Sequence, residues 1–105
     1  MNIQYKKGVL ELCVLALLQK SERYGYEISE YISEHIDISA GTVYPILRKL
    51  KAEGMLTTYL QEESKGPPRK YYSLTGLGKK TYQKERKEYL NFAKIIQVLL
   101  EDKDE

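Results

Sequence analysis

The sequence predicts a mainly α-helical domain with one small β-hairpin, and three observations predict it. Apolar residues recur at helical spacing in several separate stretches, two Thr-, Tyr- and Leu-rich segments flank the polar run Glu62 to Pro68, and Gly54 marks where the helical pattern gives way to the strand pattern. A length of 105 residues leaves room for one core, and 42% hydrophobic with 30% charged residues is the balance of a chain that folds into one compact domain.

The first segment, from about Lys7 to Lys20, sets Val9, Leu12, Cys13, Leu15, Ala16 and Leu17 in a nearly continuous apolar stretch, which fits a mostly buried scaffold helix. Ser21 to Tyr24 reads as a polar turn. Ile28, Tyr31, Ile32, His35 and Ile36 then recur at i, i+3, i+4, i+7 and i+8, the signature of a second, amphipathic helix. Tyr24, Tyr26 and Tyr31 beside these isoleucines are expected in the core with satisfied hydroxyls, and His35 is expected to pack or cap near the helix end.

Asp37 to Ser39 break the pattern, and Ser39 is the candidate N-cap of a third helix, its hydroxyl accepting from a backbone N–H of the following turn. Val43, Ile46, Leu47 and Leu50 form the inner stripe of that helix, and Gly54 is placed to end it in the left-handed region. Pro45 lacks a donor, so the regular helix is expected to start near Gly41 or Thr42, which puts the proline in the first turn.

Met55 to Gln61 and Arg69 to Leu74 form the expected hairpin. Alternation puts Tyr72 and Leu74 on one face and Arg69, Tyr71 and Ser73 on the other, with Tyr72 toward the core. Thr75 caps a long final helix reaching about Leu100. Along it Tyr82, Glu85, Tyr89, Phe92, Ile96 and Leu99 follow a 3-4-3-4-3 spacing, widened by Ile95 and Val98, and such a seam calls for a partner helix.

Several function classes drop out. The apolar run Leu12 to Leu18 falls far short of the ~20 residues that span a bilayer. Lys6 and Lys7 before an apolar stretch imitate a secretory signal, but Glu11 interrupts it and no cleavage site follows, so the expected location is cytoplasmic with no membrane contact. Cys13 is the only cysteine and His35 the only histidine, which rules out an intrachain disulfide and a Cys- or His-rich metal site. No glycine-rich phosphate loop, nucleophile elbow or other catalytic constellation is present, so neither an enzyme nor a cofactor is expected.

The formal charge is +2, of which residues 101 to 105 carry −3, leaving +5 on residues 1 to 100. Its distribution is informative. Lys65, Arg69 and Lys70 lie in the acid-free stretch Ser64 to Tyr72, stiffened by Pro67 and Pro68, a projection suited to phosphate contact. Arg48, Lys49 and Lys51 add charge to the solvent side of the third helix, while Thr42 and Tyr44 near its start can reach base edges or phosphates.

Three helices followed by a hairpin give the order of a winged helix-turn-helix. The motifs Tyr24-Gly25-Tyr26-Glu27-Ile28, Gly41-Thr42-Val43-Tyr44-Pro45-Ile46-Leu47, Arg48-x-Leu50-x-x-Glu53-Gly54-Met55-Leu56 and Gly66-Pro67-Pro68-Arg69-Lys70-Tyr71-Tyr72-Ser73-Leu74-Thr75 resemble the PadR family. With one helix after the wing, the chain is similar to its short subfamily. That resemblance implies a dimeric transcriptional repressor: residues 1–75 form the DNA-binding part, and residues 76–105 supply the dimerisation helix and an acidic tail.

The same resemblance implies that the helix from Ser39 onward, with Ser39, Thr42, Tyr44, Pro45, Arg48 and Lys49, reads double-stranded DNA, and that Lys65, Arg69 and Lys70 of the wing meet the backbone or minor groove. It also implies that Leu12, Tyr82, Tyr89, Phe92, Ile96 and Leu99 build the homodimer interface or a pocket for a small apolar or aromatic effector. Two further readings stay open, a winged-helix module that binds protein and a small-molecule-binding protein with a vestigial helix-turn-helix; both predict indifference to DNA.

Overall fold

The computed structural model describes residues 3–101, with side chains described from Gly8 onward. Of the acidic tail, residues 102–105 lie outside the described residues. The elements run in the order α1 (Ile3–Lys20), β1 (Arg23–Tyr24), α2 (Gly25–His35), a 3₁₀ turn (Ala40–Thr42), α3 (Val43–Ala52), β2 (Leu56–Gln61), β3 (Arg69–Leu74) and α4 (Gly76–Glu101).

One core holds the first three helices against the sheet. α1 contributes Leu10, Val14, Leu15, Leu17 and Leu18, α2 contributes Ile28 and Ile32, and α3 contributes Val43, Ile46, Leu47 and Leu50, the inner stripe that its spacing predicts. Leu56 and Tyr72 close the core from the sheet. Cys13 is half-buried against it, and burial pushes its thiol pKa up.

α2 corrects the placing of its tyrosines, while His35 packs on Tyr31 near the helix end as expected. Its buried face is Gly25, Ile28, Ser29 and Ile32, whereas Tyr31 and His35 are exposed at its edge, their rings stacked 4.3 Å apart and His35 Nδ1 2.8 Å from the Tyr31 carbonyl. Tyr26 is 57% exposed and Tyr24 half-buried, so the three tyrosines are not core residues. The buried polar residue of this face is Ser29, whose hydroxyl donates to the Ala40 carbonyl at 2.7 Å and ties α2 to the turn before α3.

The helix ends follow local rules. Gly54 has φ +79°, and the Met55 N–H donates to the Leu50 carbonyl while the Gly54 N–H donates to the Lys51 carbonyl, the paired bonds of a Schellman stop. Thr75 caps α4 as expected, its hydroxyl accepting from the Gly78 N–H at 3.0 Å. The Thr75 N–H also donates to the Met55 carbonyl at 3.0 Å, which fastens the start of α4 to the end of α3.

The predicted hairpin is present, with Tyr59 opposite Tyr71 and Leu56 opposite Leu74, and Tyr72 faces the core while Tyr71 faces outward. The expected turn before α2 is instead partly a strand: Arg23 and Tyr24 pair antiparallel with Tyr72 and Tyr71, giving a sheet of order β1-β3-β2. Two residues carry no periodicity, so only the partner strand reveals them. α4 leaves this body and, at ~1.5 Å per residue, runs about 39 Å; its one fully buried residue among those described is Gly78.

Candidate nucleic-acid interface

The approach to α3 is built by the 3₁₀ turn. Ser39 does not cap with its side chain: the Thr42 N–H donates to the Ser39 carbonyl at 3.0 Å, and the Ser39 and Thr42 hydroxyls meet each other at 3.0 Å. The tighter 3₁₀ geometry brings the two side chains together and removes the N–H from reach of the hydroxyl. Pro45 is the third residue of α3, where its missing donor has no intrahelical role, as the sequence requires.

From this entry the outer side of α3 presents Tyr44, Pro45, Arg48, Lys49 and Lys51, all exposed, with Thr42 half-buried. Tyr44 is anchored at its base. A Cβ on Gly25 would sit 3.4 Å from Tyr44 Cε1 and 3.3 Å from Tyr72 Cε1, so the two rings converge on a glycine that leaves them space. Burial pushes the Tyr72 phenol pKa up, with Tyr44 adding to the rise and the Arg48 cation opposing it. Tyr44 therefore meets the α3-side face of β3 at Tyr72, and Lys70 alternates onto that same face, opposite the exposed Leu60.

Two other cations of the set, Lys49 and Arg69, are engaged. Lys49 Nζ lies 2.7 Å from Glu11 Oε2 of α1 and 3.6 Å from Glu53 Oε2, and the bond to Glu11 raises its pKa. Arg69, on the opposite face of β3 from Lys70, packs its guanidinium 4.5 Å over the Tyr24 ring and lies 3.5 Å from Glu63. Lys65 is exposed at the tip beside Gly66, whose φ of +96° turns the chain. The pairing of Glu11 with Lys49 spans 38 residues and carries no signal along the chain, whereas Glu53 and Glu63 lie close in sequence to the cations they face.

The outer face of the sheet carries a row of rings: Tyr26 on Tyr24 at 6.2 Å, Tyr24 on Tyr71 at 5.8 Å and Tyr71 on Tyr59 at 5.5 Å. Tyr59 ends the row by donating to Glu22 at 2.6 Å, which raises its pKa. Tyr26 on Tyr24 and Tyr71 on Tyr59 are stacked and Tyr24 on Tyr71 is tilted, so the rings cover part of one another.

The seam predicted along α4 divides. Tyr82 is half-buried against the protein's own core, and Glu85 is exposed. Further along, Phe92, Ile95, Val98, Leu99 and Leu100 are 55 to 80% exposed, with Tyr89 and Ile96 half-buried. Tyr89 and Phe92 border two clefts. One, of about 400 Å³, runs between α1 and α4 past Gly8, Val9 and Leu12; the other, of about 480 Å³, lies along α4 past Ile96 and Leu100.

Helices α1 to α3 backed by a small antiparallel sheet with a protruding β2–β3 hairpin define a winged helix-turn-helix protein, here extended by a long C-terminal helix. The profile of the Transcriptional regulator PadR-like family matches residues 14–84, and the chain belongs to that family. It is 35% identical over 75 residues to the negative transcriptional regulator PadR of Bacillus subtilis, an alignment that covers 68% of this chain and 41% of that one.

Among solved structures, a PadR-like transcriptional regulator from Bacillus cereus superposes with a TM-score of 0.85 at 32% identity, over 95% of this chain and 99% of that one. A Streptococcus mutans protein does so with a TM-score of 0.81 at 38% identity, over 91% and 90%. The chain is accordingly a regulator of transcription and not an enzyme. Among the described residues no helix is long and apolar enough to cross a membrane.

Proposed function

We propose that the protein is a homodimeric repressor that binds an inverted-repeat operator in double-stranded DNA. One observation carries this reading: the exposed Tyr44 at the start of α3 and Tyr72 of β3 converge over Gly25, and Lys70 lies on the Tyr72 side of the wing, which together are the surface proposed to face DNA. On it Thr42 and Tyr44 read bases or anchor phosphates, Pro45 offers an apolar contact, Ser39 orders the entry turn, and Arg48, Lys65 and Lys70 neutralise phosphates. Lys49 and Arg69 contribute less, because each already faces carboxylates.

The exposed apolar row of α4 supports the dimer, since a helix this apolar on one side is stable in water only when covered. Two copies joined there would present two reading helices one DNA turn, about 34 Å, or a multiple of it apart. The clefts at Leu12, Tyr89 and Phe92 supply the place for a small apolar or aromatic effector that releases the operator. Repression follows from the likeness to the negative transcriptional regulator PadR of Bacillus subtilis.

Selection of bound duplexes from a random pool, repeated across salt concentrations, tests the proposal. Enrichment of an inverted repeat is expected, with Arg48→Gln and Lys70→Gln each making the salt dependence shallower by about 0.9 in log–log slope and Arg69→Gln changing it less. No enrichment and no affinity at low salt would favour a winged-helix module that binds protein.

A further inference from the structure

The motif reading makes Lys49 a DNA contact, yet the structure surrounds its ammonium with acids. Glu11 reaches it from α1 at 2.7 Å and Glu53 from its own helix at 3.6 Å, so this cluster of one base and two acids carries a net charge of −1. The cluster closes a cleft of about 210 Å³ between α1 and α3, lined by Glu11, Thr42, Pro45, Ile46 and Lys49. Thr42, Pro45 and Lys49 stand at i, i+3 and i+7, one stripe of the outer side of α3. An acid from another helix therefore sits against the stripe proposed to meet DNA.

We infer that Glu11 is a specificity-determining residue that acts through Lys49, withholding its charge from phosphates until α3 is seated in a cognate groove. The inference rests on the DNA-binding reading above. Binding to arbitrary sequence depends almost entirely on cations meeting phosphates, each contact adding about −0.9 to the salt slope. A lysine already neutralised by two carboxylates adds nothing to that encounter. On a cognate site the base contacts of Thr42 and Tyr44 hold α3 in place, and Lys49, 53% exposed, can exchange Glu11 for a phosphate. Discrimination arises because the wrong sequence never gains this contact, a repulsive device set against the alternative complex.

The geometry favours this over a purely structural staple. Glu11 and Lys49 form a solvent-accessible pair, a class that contributes little to folding, and the elements it joins are already held by Val14, Leu15, Ile46 and Leu47 in the core.

The test measures affinity for a random-sequence duplex and for the selected duplex, across salt, in wild type, Glu11→Gln, Lys49→Gln and the double variant. With Glu53 still facing Lys49, Glu11→Gln is expected to steepen the random-duplex slope by part of the ~0.9 of a full phosphate contact and to tighten that binding by up to about fivefold at roughly 0.15 M salt, while tightening the selected duplex less. Lys49→Gln alone is expected to leave the random-duplex slope unchanged, and in its background Glu11→Gln is expected to have no effect on it. An unchanged slope in Glu11→Gln, an equal steepening in the Lys49→Gln background, or equal tightening of both duplexes overturns the inference. A Lys49→Gln slope shallower by about 0.9 does so from the other side, since Lys49 would then contact phosphate despite Glu11. Wild type that binds neither duplex overturns the DNA-binding reading itself, and the inference with it.

Discussion

Phe92 offers a quantitative test of the assembly. Its side chain is 55% exposed on the apolar row of α4. Full burial of a phenylalanine is worth roughly 1.5–3 kcal/mol, so covering the part still in water contributes about 1–1.5 kcal/mol. In a two-fold dimer each substitution occurs twice, and Phe92→Ala should weaken self-association by about 2–3 kcal/mol, or about 30- to 150-fold. Sedimentation equilibrium over a dilution series reads this directly. Tyr82 supplies the contrast, because it packs on the protein's own core: Tyr82→Ala should lower the unfolding midpoint while leaving most of the association constant. A Phe92→Ala dissociation constant within about threefold of wild type would show that this face is not the dimer seam and that the area reasoning fails.

The remaining predictions concern stability. A Cβ on Gly78 would collide with the Met55 carbonyl oxygen and approach Leu74 Cδ2 to 3.2 Å, so Gly78→Ala should cost about 1–3 kcal/mol in urea unfolding; Gly76→Ala, which meets nothing, should instead be neutral or stabilise by up to about 1 kcal/mol. Equal effects would refute the close approach. Stability should also fall in alkali: burial raises the folded pKa values of Cys13 and Tyr72 above their ordinary 9.0 and 10.0, so the unfolded chain loses protons that the folded one keeps. Their contribution is complete below about pH 9 and lost as pH rises through the folded values. Tyr72→Phe should flatten the upper part of that decline in unfolding free energy, and an identical profile in the variant would count against the burial of the phenol.

What could be read from the chain were features written within a few residues of one another. The α3 stripe, the Gly54 stop, the Thr75 cap, both hairpin strands and the opposed facing of Tyr71 and Tyr72 depend on periodicity or on a single φ angle, and each is present. Features made by distant partners were not legible. β1 exists because β3 offers Tyr71 and Tyr72 to pair with. Gly78 reads as a tolerable first-turn glycine, and only the approach of the Met55 carbonyl makes it necessary. Tyr24 sits at core-like spacing, but β1 turns it to the outer face of the sheet, where Tyr71 and Arg69 cover part of it and Tyr26 of α2 stacks on it.

The same division runs through the charges of the reading surface, and there it bears on function. A run of Lys and Arg along a chain counts charges without saying which are available, and availability depends on acids brought in by the fold. Arg69 and Lys70 are neighbours in sequence, yet strand alternation points them to opposite faces, one toward Tyr24 and Glu63 and the other to the side that carries Tyr72. Arg48 and Lys49 are also neighbours, and a 100° step around the helix sets Lys49, and not Arg48, against Glu11. A winged helix can therefore carry a modest +5 over its first 100 residues and still present a cationic surface, because adjacent basic residues are sorted between surface and scaffold. In this chain the helical step and the strand pleat do that sorting.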